Sequence, residues 1–160
     1  MVKIESYDGK KKDIGCIGCA IESGEADLRG IIVKTRHFHV GQDYQNPIPG
    51  FFIVATRKHI ISLAEFSEEQ QAEFIRLVCG LRKGMKDILG IKDVCIFQNE
   101  DNPYHFHLWI LPKMKWMEGR VEAKSLKSIL DYAKQNMKTE QNLRKVDDAV
   151  RKMTKYMQEK

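Results

Sequence analysis

Asn99-Glu100-Asp101-Asn102-Pro103-Tyr104-His105-Phe106-His107-Leu108-Trp109-Ile110-Leu111-Pro112-Lys113 decides how the chain folds. His105, His107 and Trp109 alternate with Phe106, Leu108 and Ile110. Successive side chains of a strand point to opposite faces, so the stretch has one apolar face and one face bearing two imidazoles and an indole. The apolar face predicts a core on one side of a sheet. The polar face predicts binding or chemistry, because imidazole is both a common metal ligand and a base near neutral pH.

Working outward, 93–98 is a second apolar run, joined to the first by a short polar loop, which predicts an antiparallel pair. Upstream, 30–35 and 37–40 read as one or two strands, 41–50 as a Pro/Gly/Asn loop, and 51–55 as a buried strand. A long helix is predicted over 67–89. Ser67 with Gln70 makes a capping-box pattern, and Phe74, Val78, Leu81, Met85 and Ile88 recur at spacings of three and four. Gly90 ends it. Near the N-terminus Asp8-Gly9 is a hairpin signal that predicts a small β-ribbon. After Pro112 the composition shifts. Leu126, Ile129, Leu130, Ala133 and Met137 mark one amphipathic helix, and Leu143, Val146, Val150, Met153 and Met157 another. The order of strands, long helix and strand pair lacks the alternation of a parallel sheet. It predicts an α+β domain with a mainly antiparallel sheet over 1–117, followed by a helical extension over 118–160 that docks on the sheet domain or on a partner subunit.

The 160 residues are 42% hydrophobic and 31% charged, with a net charge of +5, the composition of a water-soluble globular chain. No window approaches about 18 uninterrupted apolar residues and the first residues contain no apolar signal segment, so a cytoplasmic protein is expected. Residues 118–160 carry 11 basic and 7 acidic side chains, a local excess of +4. That excess suits a solvated helix face, or a surface for nucleic acid or another polyanion.

Cys16-Ile17-Gly18-Cys19 presents two thiols from a tight turn, which is half of a tetrahedral zinc site, a redox pair, or two ordinary cysteines. The partners on offer are His37, His39, His59, His105 and His107. His37 and His39, two apart, read as ordinary sheet residues, and Cys79 and Cys95 as core. Trp116 and Tyr104 have the chemistry to stack on a base, although packing accounts for them as well.

These pieces together resemble the histidine-triad (HIT) superfamily. His105-Phe106-His107-Leu108-Trp109-Ile110-Leu111-Pro112-Lys113 is similar to its signature, in which three histidines alternate with apolar residues. Cys16-Ile17-Gly18-Cys19 with Ser23-Gly24-Glu25, Asp43 with Pro47-Ile48-Pro49-Gly50-Phe51, the run from Phe52 to His59, and Asn99-Glu100 match in order along about 14–114. The resemblance implies a HIT-like meander with a five-stranded sheet and one long helix, forming a homodimer through the sheet. It also implies a purine nucleotide or nucleotide conjugate as ligand, and structural zinc held by Cys16, Cys19, His59 and His105.

For activity, the resemblance implies a nucleotide hydrolase or nucleotidyl transferase with His107 as nucleophile on the α-phosphorus. Trp109 stands where the third histidine does catalytic work. Asp43 maps to a ribose-binding position and Asn99 to a further nucleotide-binding one; Lys113 has the charge to contact phosphate, or is a solvated surface cation. A nucleotide-binding or scaffold module with weak turnover, and a nucleic-acid-end processor, are the alternative functions. Three departures bear on the choice. Indole donates a hydrogen bond but cannot shuttle a proton. Asp101, Asn102 and Pro103 replace a phosphate-holding Gly/Ser segment, and Pro103 has no N–H. Phe51 replaces a histidine.

Overall fold

The structure is a computed structural model that describes residues 2–5, 11–26, 29–100, 105–119 and 125–159. β1 (Val2–Glu5) and β2 (Lys11–Ile14) form the expected antiparallel ribbon, in the register Val2↔Ile14 to Glu5↔Lys11. The Asp8-Gly9 turn lies outside the described residues. A five-stranded sheet follows, made of β3 (Ile31–Lys34), β4 (Phe38–Gln42), β5 (Phe52–Thr56), β6 (Val94–Gln98) and β7 (His107–Pro112). Its order is β3-β4-β5-β7-β6, with every pairing antiparallel. The helices are α1 (Ile17–Glu22), α2 (Glu68–Asp87), α3 (Leu126–Asn136) and α4 (Glu140–Gln158), with 3₁₀ turns at Leu63–Glu65 and Lys115–Met117. This is the α+β sheet-and-helix architecture read from the alternation.

Alternation puts Phe38 and Val40 of β4, Phe52 and Val54 of β5, and Leu108 and Ile110 of β7 on one face, and all six are buried. α2 covers them with Leu77, Leu81 and Met85, and α4 adds Met153 to the same core. Phe38, Phe66, Phe74 and Phe106 meet in tilted and edge-on pairs, the arrangement that aromatic quadrupoles favour. Gly84 is required where α2 and α4 cross, because a Cβ there would stand 2.6 Å from the Tyr156 ring.

α2 begins with the Ser67–Gln70 capping box that the sequence announced, and the backbone reverses near Gly90 at φ 68°. Its buried stripe runs through Leu77, Leu81 and Met85, with Phe74 and Val78 at the margin. Ile88 is exposed, and so is Cys79, which is therefore not a core residue.

The opposite face carries a second, smaller core. Ile48, Phe51 and Leu111 pack with Ile129 and Ala133 of α3, and Phe97, Trp109, Trp116 and Met137 lie against them. Phe51, in place of a polar residue, is thus a packing residue with no exposed surface. Trp116 stacks on Tyr132 at 4.6 Å within this cluster. Tyr104 lies outside the described residues. No helix among the described residues is long and apolar enough to cross a membrane.

Candidate functional site

Two backbone carbonyls fix the chemistry of the two histidines. The Nε2–H of His105 donates to the Thr56 carbonyl at 2.5 Å, so its Nδ1 turns towards the cysteines. The Nδ1–H of His107 donates to the His105 carbonyl at 2.7 Å. A carbonyl only accepts, so in a neutral His107 the lone pair sits on Nε2. The two imidazoles, alike in sequence, therefore present opposite nitrogens.

His105 Nδ1 stands 3.3 Å from Cys16 Sγ and 3.9 Å from Cys19 Sγ, and His59 Nδ1 stands 3.3 Å from Cys19 Sγ. The four ligand atoms lie within 4.8 Å of one another. A tetrahedral zinc with bonds of about 2.3 Å to sulfur and about 2.0 Å to nitrogen separates S from N by roughly 3.5 Å. The set fits zinc, and two thiolates with two imidazoles close the coordination, as a structural site requires. The electrostatics agree with the geometry. Burial, the hydrogen bond with Cys16 and its charge push the Cys19 thiol up, so thiols this close need a cation to hold them as thiolates. Burial lowers the His105 pKa, helped by His59 and His107 and against the Thr56 bond, which keeps the ring neutral and able to ligate.

The x-x of the cysteine motif is not neutral spacing. A Cβ on Gly18 would lie 2.4 Å from the His105 ring, so only glycine lets α1 approach the imidazole. No local pattern marks this glycine, because its contact with His105 spans 87 positions of the chain.

β7 starts at His107, and His105 lies just before it as a buried residue. His107 and Trp109 are half-buried on the face away from the main core, with ring centroids 4.2 Å apart in an edge-on pair. Trp109 leans into the second core, opposite Phe97 of β6 and Ile53 of β5. Asn99 follows Gln98, which pairs with Leu108, and so stands at the level of His107. Glu100 accepts hydrogen bonds from Ser62 Oγ and Leu63 N, each at 2.8 Å, and ties that end of the sheet to the 3₁₀ turn. Asp101, Asn102 and Pro103 lie outside the described residues.

Asp43 lies just past β4. Its carboxylate accepts from Gln45 N at 2.8 Å, Asn46 N at 3.1 Å and Asn46 Nδ2 at 2.8 Å, so it shapes the 43–46 turn. Burial raises its pKa against these hydrogen bonds and the charge of Lys138. Lys113 is exposed and six residues beyond His107. At about 3.3 Å per residue that is roughly 20 Å along the strand, too far to share a phosphate held by His107.

His37 and His39 do not act as a pair. His37 precedes β4 and binds Glu73 of α2 at 2.6 Å. His39, inside β4 and only 3% exposed, lies 3.3 Å from Glu22 of α1. Burial would raise the Glu22 carboxyl, but the Arg57 hydrogen bond and the charges of Lys34, Arg57 and His39 hold it below the usual carboxylate range. Burial lowers the pKa of His39, against the pull of Glu22. This polar cluster around the buried His39, beside the cysteine helix, had no signal in the sequence, since its members come from four separate segments.

No protein-family model matches the chain, and no curated protein matches it. Solved structures do. A hypothetical histidine triad nucleotide-binding protein from Sulfolobus tokodaii is 20% identical, with a TM-score of 0.62 over 89% of this chain and 94% of the other. A HIT family member from Bacillus subtilis is 19% identical, with a TM-score of 0.57 over 87% and 96%. A zinc-bound histidine triad family protein from Mycobacterium smegmatis is 18% identical, with a TM-score of 0.54 over 84% and 97%. At these identities the likeness shows the fold: the chain is folded as histidine-triad proteins are.

Proposed function

We propose that the chain is a nucleotide-binding protein of histidine-triad type, with His107 Nε2 as a nucleophile for nucleotidyl transfer or hydrolysis at an α-phosphate. The observation that carries this reading is the 2.7 Å hydrogen bond from His107 Nδ1 to the His105 carbonyl. It leaves the lone pair on Nε2, on the half-buried side of the strand away from the main core, and keeps the neutral ring in the reactive tautomer. In the first step a bond forms between Nε2 and phosphorus while the bond from phosphorus to the leaving group breaks. In the second, water or another acceptor attacks phosphorus and releases the imidazole. The indole N–H of Trp109 transfers no proton, so a leaving group that needs one takes it from water. Asn99 stands at the level of the reacting centre and Asp43 organises the loop for the ribose. Lys113 has no place at the α-phosphate in this reading.

Zinc bound to Cys16, Cys19, His59 and His105 supplies a cross-link and no reaction step. His105 then serves twice: its side chain anchors the strand to α1, and its carbonyl orients His107. A homodimer through the sheet is part of the same proposal. Among the described residues no strand pairs outside β6, and Ile96 on it is 53% exposed, next to a groove lined by Val78, Cys79 and Arg82 of α2.

One observation favours a second reading, a binding module with weak turnover. Trp109 is committed to packing in the second core, so the third position of the polar row does no acid–base work. Incubation with an adenosine phosphoramidate, a diadenosine polyphosphate and nucleoside diphosphates, followed by intact-protein mass spectrometry, separates the two. The enzyme reading expects a nucleotide adduct on His107, lost together with turnover in His107→Ala. Nucleotide binding without adduct or turnover leaves the binding module. No binding at all removes both.

A further inference from the structure

The C-terminal helices grip the loop that carries Asp43. From inside, Gln42 Nε2 donates to the carbonyls of Asp43 at 3.0 Å and Ile48 at 2.9 Å, and its Oε1 accepts from Gly50 N at 3.0 Å. From outside, α4 reaches the loop at two points. Asp147 accepts the Tyr44 hydroxyl at 2.6 Å on one oxygen and Arg29 at 3.0 Å on the other. Asn142 Nδ2 donates to the Pro47 carbonyl at 2.6 Å and to the Met137 carbonyl at 2.8 Å. The Tyr44 ring is seated as well. Arg29 lies 5.5 Å from its centroid, and a Cβ on Gly30, at φ 110°, would stand 2.5 Å from the ring.

α4 is a rigid support for this grip. It buries Val146, Ala149 and Met153 against the sheet and α2. Tyr44 follows directly on Asp43, so the position of the carboxylate is set on one side by its own turn and on the other by a helix about a hundred residues further along the chain.

We propose that Asp147 and Asn142 are positioning residues for nucleoside binding: through Tyr44 and Pro47 they hold the 43–50 loop where Asp43 meets a ribose. The proposal rests on the nucleotide reading above. It gives the C-terminal helices a role in affinity rather than in the chemical step, because none of these contacts touches His107. Its signature is a rise in Kd and KM with kcat preserved.

The test uses adenosine 5′-monophosphate as the probe, titrated calorimetrically into the full chain. Asp147→Ala and Tyr44→Phe are expected to weaken binding about tenfold each. The double variant should be no weaker than Asp147→Ala alone, because the Tyr44–Asp147 hydrogen bond is already lost there, together with the Arg29 contact. In the free proteins, amide hydrogen exchange at Gln45 and Asn46 should quicken, and kcat on an adenosine phosphoramidate should stay within about twofold. Asp148→Ala is the control, since Asp148 pairs with Arg151 and Lys152 within α4. It should leave affinity and exchange as they are. Wild-type binding with unchanged affinity in Asp147→Ala and Tyr44→Phe overturns this proposal alone, as does an equal loss in Asp148→Ala. A wild-type protein that binds no mononucleotide overturns both readings.

Discussion

The segment 105–111 carries one alternation and ends in two different environments. At the His105 end, α1 approaches through Gly18, and thiols and imidazoles gather into a metal site. At the Trp109 end, α3 supplies Ile129 and Ala133, and the third residue of the same polar row becomes part of an apolar cluster. Between them His107 is oriented by the carbonyl of one neighbour and flanked edge-on by the ring of the other. A shared face therefore does not mean a shared role. What a side chain on that face does is set by the helix that lies over it.

The largest effect should come from breaking the His105 end. Cys16→Ser or Cys19→Ser should abolish stoichiometric zinc by elemental analysis. A metal present at a thousandfold above its Kd contributes about 4 kcal/mol, so a fall in Tm of roughly 8–16 °C is expected, matched by chelator treatment of the wild type. Retained zinc in either variant would refute the ligand set.

Breaking the other end should cost less in stability and more in leaving-group selectivity. Trp109→Ala removes a half-buried indole, and about 2–3 kcal/mol is expected by urea unfolding, below the usual cost of a fully buried tryptophan. Trp109→His should also lower Tm. It should raise turnover on substrates with poor leaving groups by up to about a hundredfold relative to good ones, because an imidazole can carry the proton that indole cannot. Equal changes for both substrate types would mean that the third position does not govern protonation.

A smaller, more local test is Gly18→Ala. The added methyl meets the His105 ring and should weaken zinc about 10–100-fold in chelator competition, while His59, on the exposed side, keeps its place. Unchanged affinity would show that α1 can retreat at no cost.

The smallest effect concerns the Glu22–His39 cluster. His39 titrates below its unfolded value, so the unfolded chain takes up protons first and stability should fall as pH drops below about 6.5. Glu22, held low by Arg57, keeps its contribution until its own protonation at more acid pH. Urea unfolding of His39→Leu between pH 8 and about 3 should lack the first decline and retain the second, which lies below the ordinary carboxylate value. An identical pH profile in the variant would assign the decline to other groups.

Much of the architecture was legible because it follows from short-range pattern. The alternation at 105–111, the capping box at Ser67 and the i, i+3, i+4 stripes of α3 and α4 are local signals, and each element appears where its signal lies. Pattern alone misled where it had to choose a rotation. Val78 lies at the margin of the α2 stripe, Ile88 and Cys79 are turned outward, and His37 leaves the face of His39 because β4 begins only at Phe38. Of the candidate site, the residue types were legible and the geometry was not. Cys16, Cys19, His59 and His105 could be named, but the nitrogen each histidine offers depends on carbonyls at Thr56 and at His105 itself.

The sequence by itself determined the strand and helix periods, and so the two faces of the sheet, because side-chain direction is a property of the local backbone. It also supplied the residue types that can bind zinc or attack phosphorus. Only the tertiary structure decided which of those residues meet. The closeness of Gly18 to His105, the place of Trp109 in a core built with α3, and the hold of Asp147 on Tyr44 all join segments far apart in the chain. Packing, which sums over the whole fold, sets those contacts, and no local pattern encodes them.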